Sequence, residues 1–246
     1  MHKKRIMAHM IPYYPSPEAS YDVVRGLVDG GAWALEVQFP FSDPTADGPA
    51  IQGACTTALE NGFTVDKGID FIKKIRKDYP KLPVFVMSYA SIPYRVGIPR
   101  FVSIMAELGI NGLIIPDLPP DYDEGFYEEC ITRDLQPVPV VIPDMTEERL
   151  SLITDKAGEY IYAALRKGIT GQHTELGEDN IGLLSVLKNR GYKTLAGFGI
   201  DSPEQVAKLS RHAYAIVAGS VFVRICKENR DDIYGSVKKK VEYLLL

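Results

Sequence analysis

Two carboxylates carry the most chemistry in this chain. They are Glu36 and Asp47, eleven positions apart in Leu35-Glu36-Val37-Gln38-Phe39-Pro40-Phe41-Ser42-Asp43-Pro44-Thr45-Ala46-Asp47-Gly48-Pro49. Glu36 stands inside a β-rich apolar run, where strand alternation puts Trp33, Leu35, Val37 and Phe39 on one face and Glu36 and Gln38 on the other. A buried carboxylate is costly unless it has a partner or a task, and burial raises its pKa toward the range useful for proton transfer. Two readings stay open: a proton-transfer acid, or a Glu satisfied by a neighbouring hydroxyl or Arg in a structural network. Asp47 lies in an Ala-Asp-Gly-Pro turn, where Asp commonly caps its own backbone, and Asp43 before Pro44 has the same explanation. Two carboxylates projecting from one loop over one mouth could nonetheless divide acid and base roles, if their environments differ.

Glycines offer a second kind of chemistry. Ala196-Gly197-Phe198-Gly199-Ile200 and Val217-Ala218-Gly219-Ser220-Val221 each close a short apolar run and open a segment with helical spacing. Glycine lets backbone approach a ligand closely, and helix N-termini present free N–H groups to an anion. Gly199, Gly219 and Ser220 are therefore candidate phosphate donors, with plain tight turns as the alternative for each glycine alone. A third segment, Leu165-Arg166-Lys167-Gly168-Ile169-Thr170-Gly171-Gln172-His173-Thr174, is long, polar and doubly glycine-hinged. That is the profile of an active-site lid or of an inconsequential surface loop, and either way Arg166 and Lys167 add positive charge.

These groups must be positioned by repeated elements. Eight β-rich runs can be read along the chain: Ile6 to Pro12, Trp33 to Phe39, Leu82 to Ser88, Gly112 to Pro116, Pro137 to Ile142, Tyr160 to Ala164, Lys193 to Ala196 and Ala213 to Ala218. Helical spacing follows each, as in Pro17 to Asp29, Asp66 to Asp78 and Pro203 to Leu209; in the second, Ile69, Phe71 and Ile75 alternate with charged residues. Strand and helix in alternation call for a parallel sheet, open or closed. Eight units at roughly 31 residues each account for all 246 residues. The turn after the first run, Ile11-Pro12-Tyr13-Tyr14-Pro15-Ser16-Pro17, has no glycine for a dinucleotide. A single (β/α)8 TIM barrel over residues 1–246 is therefore preferred to a doubly wound sheet, and in a barrel the loops at the strand C-termini carry the chemistry.

Composition narrows the partners. A net charge of −4 is no footprint for nucleic acid or an anionic membrane, and 46% hydrophobic with 24% charged residues is ordinary for a soluble globular chain. The basic start, Met1 to Arg5, is followed by an apolar stretch broken at His9, Pro12 and Pro15, so no signal peptide is expected. No run approaches the roughly 18–20 apolar residues of a membrane span. Cys55, Cys130 and Cys226 are widely spaced with no CxxC, which suggests neither a zinc site nor disulfides and fits a reduced, cytoplasmic setting.

With these segments placed, the chain resembles the tryptophan synthase alpha-subunit family from about Ala8 to the last helix. The specific match is the loop from Pro40 to Pro49 with Glu36 upstream. Supporting it are Tyr89, Pro116-Asp117-Leu118-Pro119, Gly168-Ile169-Thr170-Gly171, Gly197-Phe198-Gly199-Ile200 and Gly219-Ser220, each after its strand in the right order. The resemblance implies a cofactor-free lyase that splits indole-3-glycerol phosphate into indole and glyceraldehyde 3-phosphate by a retro-aldol reaction, in tryptophan biosynthesis. It implies Glu36 as the main proton carrier and Asp47 as the group that holds the indole N–H. By the same likeness Tyr162 lines the indole pocket, Tyr89 belongs to the substrate-binding set, and Gly171, Gly199, Gly219 and Ser220 form the phosphate site. Thr170 would be the lid threonine that meets Asp47. The implied partner is a beta subunit carrying pyridoxal phosphate, in a heterotetramer of two alpha and two beta chains. The alternatives are a low-turnover subunit that activates the beta chain, or a stand-alone indole-forming lyase.

The chain also departs from the family pattern. Tyr13-Tyr14-Pro15 replaces Gly-Asp-Pro or Gly-Tyr-Pro, His9 an apolar aromatic pocket residue, Ser91 an Asn after the strand-three tyrosine, and Leu165 a Ser before the lid. The N-terminus is short, without a counterpart before Ile6 of the family's helix that plugs the barrel floor.

Overall fold

The computed structural model describes residues 3–165, 177–197 and 199–246. Its strands are β1 (Ile6–Met10), β2 (Ala34–Gln38), β3 (Val84–Met87), β4 (Gly112–Ile114), β5 (Gln136–Pro137), β6 (Val140–Val141), β7 (Tyr160–Ala164), β8 (Lys193–Gly197) and β9 (Ala215–Ala218). All pair in parallel, in the order β5-β4-β3-β2-β1-β9-β8-β7-β6. The two ends of that order are two halves of one extended run. Val138 N–H donates to the Leu113 carbonyl at 2.9 Å and Tyr162 N–H to the Pro139 carbonyl at 2.9 Å, so the circle closes through this run. The fifth expected strand is thus real but broken. Pro139 has no N–H to give and splits the ladder in two. The result is a (β/α)8 barrel whose nine strand pieces make eight staves.

Alternation sorts the strand side chains into two populations. Leu35, Val37 and Phe39 point outward into the large core beneath the helices, with Phe63, Phe71 and Ile72. Met7, Ala34, Phe85, Met87, Leu195 and Val217 fill the lumen. Trp33 breaks the expected pattern, packing with the lumen group and against Phe85 (6.3 Å) and Tyr214 (5.3 Å). It precedes β2, so the pleat does not govern its direction. With Phe85, Tyr160 and Tyr214 it closes the lumen floor, where edge-to-face contacts of 5.2 Å (Phe85 to Tyr160) and 6.0 Å (Tyr160 to Tyr214) set the rings. The Arg5 guanidinium covers the Tyr214 ring at 4.2 Å.

The outer helices follow from capping and amphipathicity. Thr64 caps the helix Val65–Asp78 by accepting from Lys67 N–H, and that helix buries Phe71, Ile72 and Ile75 while Lys73, Lys74 and Lys77 stay in water. Each such apolar side chain contributes roughly 1.5–3 kcal/mol on full burial. Before Ala19–Asp29 the expected helix began at Pro17; instead Ser16 Oγ takes the Ala19 N–H at 3.1 Å and the helix starts there. Ser202 and Gln205 form a reciprocal capping box at the start of Pro203–Leu209, after β8. No helix among the described residues is long and apolar enough to cross a membrane.

Candidate active site

The C-terminal ends of the strands open on a cavity of about 380 Å³. β2 supplies its acid. Because Glu36 is in phase with Ala34 and Gln38, it points into the lumen, where it is only 4% exposed. Burial, and then the charge of nearby Asp47, push its pKa up from the ordinary carboxyl range to about 8. No hydrogen bond from the described residues reaches its oxygens, and it faces the cavity. Near neutral pH this is a protonated carboxylic acid with a free proton, unlike the satisfied Glu of a structural network.

Asp47 sits in a turn closed by its own N–H on the Pro44 carbonyl at 3.0 Å. Its Oδ2 accepts from Gln38 Nε2 at 2.7 Å and from the Tyr89 hydroxyl at 2.9 Å. Tyr89 in turn accepts from the Ala46 N–H at 3.0 Å, so one phenol fastens both residues of the turn to the strand-three end. This gives Tyr89 a place different from the expected one: it is 1% exposed and stands behind Asp47 rather than in the cavity wall. The motif residue Asp117 likewise works on backbone, accepting from the Ala90 N–H at 2.9 Å. It thereby holds the loop that carries Tyr89.

Tyr162, from β7, lines the cavity beside the carboxylates, and its phenol is pushed well above its usual pKa by burial and then by Glu36 and Asp47. Gly197 makes room for it, since a Cβ there would lie 2.7 Å from the Tyr162 hydroxyl. The first glycine of Gly197-Phe198-Gly199 is therefore a steric necessity for Tyr162. Gly199, at φ +62°, needs the left-handed conformation and also faces the cavity. Gly219 and Ser220 form the adjoining wall after β9, at the start of the helix Ser220–Glu228, whose first N–H groups have no intrahelical acceptor. Thr170 and Gly171, with the rest of 166–176, lie outside the described residues, as does Phe198. The remaining wall is apolar, including Ile51, Met87, Ile114 and Ile142, and suits an aromatic ring.

Two residues outside the expected catalytic and binding set, Gln38 on the Glu36 face and His9 at a departure from the family pattern, complete the site. His9 pairs in register with Glu36 across β1 and β2. Its Nε2 lies 2.6 Å from Gln38 Oε1, and because that amide's nitrogen is committed to Asp47, His9 must be the donor. Burial lowers the His9 pKa, more than Asp47 and Gln38 raise it, so the ring is neutral and its Nδ1 is an acceptor with no partner among the described residues. Strand phase put Gln38 on the Glu36 face and the family pattern marked His9 as a departure; that the two bond to each other needed the register. Of the other departures, Tyr13 adopts φ +69° with its carbonyl held by Asn61, Ser91 begins the helix Ser91–Val96, and Leu165 is buried against the core. Among the described residues no cluster of three or more His, Cys, Asp or Glu could hold a metal ion.

With this geometry in hand, comparison with known proteins is specific. The family model described as "Tryptophan synthase alpha chain" matches residues 1–244. A tryptophan synthase alpha chain of Methanosarcina acetivorans is 36% identical over 231 residues, spanning 94% of this chain and 82% of its own. That of Helicobacter hepaticus is 36% identical over 233 residues, spanning 92% and 87%. Among solved structures, a chain of the tryptophan synthase a2b2 complex from Pyrococcus furiosus superposes with a TM-score of 0.90 at 30% identity, covering 100% of this chain and 99% of that one.

Proposed function

The chain belongs to the tryptophan synthase alpha chain family, and from that premise we propose that it cleaves indole-3-glycerol phosphate to indole and glyceraldehyde 3-phosphate. The observation that carries the mechanism is the contrast between two carboxyl groups on one cavity. Glu36 is desolvated, raised to about 8 and hydrogen-bonded to nothing among the described residues, whereas Asp47 accepts two hydrogen bonds on one oxygen. The first is built to give up a proton, the second to hold a negative charge.

The steps then balance. Glu36 protonates the ring carbon that bears the side chain, and the positive charge that develops at the ring nitrogen is met by Asp47. The Glu36 carboxylate next removes the proton of the adjacent side-chain hydroxyl. The carbon–carbon bond breaks, its electron pair returns to the ring, and indole leaves with the phosphorylated aldehyde. Glu36 ends protonated, as it began. The substrate's own indole ring is the electron sink, so the reaction calls for no cofactor. Tyr162 packs the ring beside Glu36, while Gly199, Gly219 and Ser220 supply backbone and hydroxyl donors to the phosphate. The family resemblance assigns Gly171 to the same phosphate and Thr170 to Asp47; both lie outside the described residues.

The solved relative from Pyrococcus furiosus belongs to an a2b2 complex, which supports a beta-subunit partner for this chain. On the same reading that partner carries pyridoxal phosphate and takes up the indole, and the complex works in the cytoplasm. The test is indole release from indole-3-glycerol phosphate by the isolated chain and after adding the beta subunit. Turnover that rises on addition is expected. No turnover in either state would point to a purely activating subunit, and full turnover with no association would make it a stand-alone lyase.

A further inference from the structure

A chain of hydrogen bonds runs across the barrel mouth behind the reacting groups: His9 Nε2 to Gln38 Oε1 at 2.6 Å, Gln38 Nε2 to Asp47 Oδ2 at 2.7 Å, and the Tyr89 hydroxyl to the same Oδ2 at 2.9 Å. Both donors fall on one oxygen. Among the described residues nothing donates to Asp47 Oδ1, although Asp47 lines the cavity. An amide side chain can flip and offer oxygen in place of nitrogen, which against a carboxylate would repel. The His9 donor prevents the flip by occupying Oε1, and the remaining amide proton of Gln38 is directed at Cys55 Sγ, 3.6 Å away. Gln38 is fully buried and His9 is 4% exposed, so neither is held by water.

We propose that Gln38, locked by His9, is a positioning residue that occupies Asp47 Oδ2 and so turns Oδ1 toward a ring N–H in the cavity. The inference rests on the lyase reading, because it takes Asp47 as the acceptor for an indole N–H. It adds that discrimination for that N–H is set from the ends of β1 and β2, by a polar pair where the family resemblance leads one to expect an apolar aromatic at position 9. His9 and Gln38 act on that N–H through Asp47.

Two non-cleavable ligands test this by calorimetry on the full chain: 3-(indol-3-yl)propyl phosphate and its benzothiophene analogue, which has the same shape without the N–H. Wild type should prefer the indole ligand by roughly tenfold or more, the size expected for a hydrogen bond to a charged acceptor. Gln38→Met should cut that preference, read as the ratio of the two affinities within one variant so that any change of cavity shape cancels, to within about twofold, and His9→Phe should produce an intermediate loss. Equal weakening of both ligands, or an undiminished preference, would overturn the proposal. If wild type binds both ligands alike, the lyase reading of Asp47 falls first and this inference with it. A variant-free measurement keeps the question open to refutation if either substitution unfolds the chain. The ring nitrogen resonances of His9 in wild type must show Nε2 protonated and Nδ1 bare, and the opposite tautomer would mean that Gln38 faces Asp47 with its oxygen.

Discussion

The two ends of the barrel lumen are built from the same strands by the same alternation, yet they have opposite characters. At the floor, Trp33, Phe85, Tyr160 and Tyr214 meet ring against ring, with Arg5 on the Tyr214 face and the Lys193 ammonium 5.3 Å from the Tyr160 ring. At the mouth, Glu36, Gln38, His9 and Tyr162 surround a void. Large rings fill the floor, and its cations lie at the strand starts where water can reach them. The mouth instead buries ionisable groups around a space large enough for a ligand. Burial alone does not distinguish a core from a site; the difference is whether buried polar atoms are left facing an opening.

Substituting at the two ends should separate chemistry from stability. The largest effect is expected from Glu36→Gln, which should lower the rate of indole release by about 10³-fold with KM changed by less than about threefold, as befits loss of a proton carrier. Steady-state assays check this, and wild-type turnover in the variant would sink the mechanism.

The pH dependence sharpens the same point. As a proton donor with a pKa near 8, Glu36 should lose activity as pH rises through that value. Its effect on stability has a definite sign. The folded pKa lies above the ordinary 4.5, so its contribution is fully present below about 4.5 and is lost as pH rises toward 8. At about 1.4 kcal/mol per pKa unit the loss is on the order of 5 kcal/mol. Glu36→Gln should therefore raise the melting temperature at pH 8.5 and change it little at pH 4.5; an equal change at both would contradict the burial argument.

At the floor, Trp33→Ala should cost about 2–3 kcal/mol in denaturant unfolding and leave the rate within about twofold, because no ring there reaches the cavity. Gly197→Ala joins the two criteria. The new Cβ meets the Tyr162 hydroxyl at 2.7 Å, so substrate affinity should fall several-fold, and Tyr162→Phe in the same chain should recover part of it. The smallest effect belongs to Arg5→Ala, which should cost about 1 kcal/mol for a half-buried cation over a ring.

Much of this architecture could be read from the chain, for a physical reason in each case. The strands were legible because inward and outward faces differ in polarity, and Glu36 stood out because it interrupts an apolar run. The break in the fifth strand was written in Pro137 and Pro139, which no ladder tolerates side by side with full pairing. Trp33 was misplaced because alternation was extended one residue before the strand begins. Tyr89 was matched by motif to the substrate-binding set, whereas its phenol fastens the Asp47 turn, a relation between loops that no local spacing encodes. The pairing of His9 with Gln38 depends on the register of β1 against β2 and on which way an amide turns. Those are properties of the assembled barrel.

The broken strand has a mechanical consequence. Seven staves of the barrel are joined by uninterrupted ladders, while the eighth is pinned at each end by two-residue pairings with Pro139 between them. Val140 and Ile142, on that stave, are part of the cavity wall. The ring pocket is thus seamed unevenly: its apolar side hangs on two-residue pairings, while the carboxylate side rests on the four-residue ladders that join β1, β2 and β3.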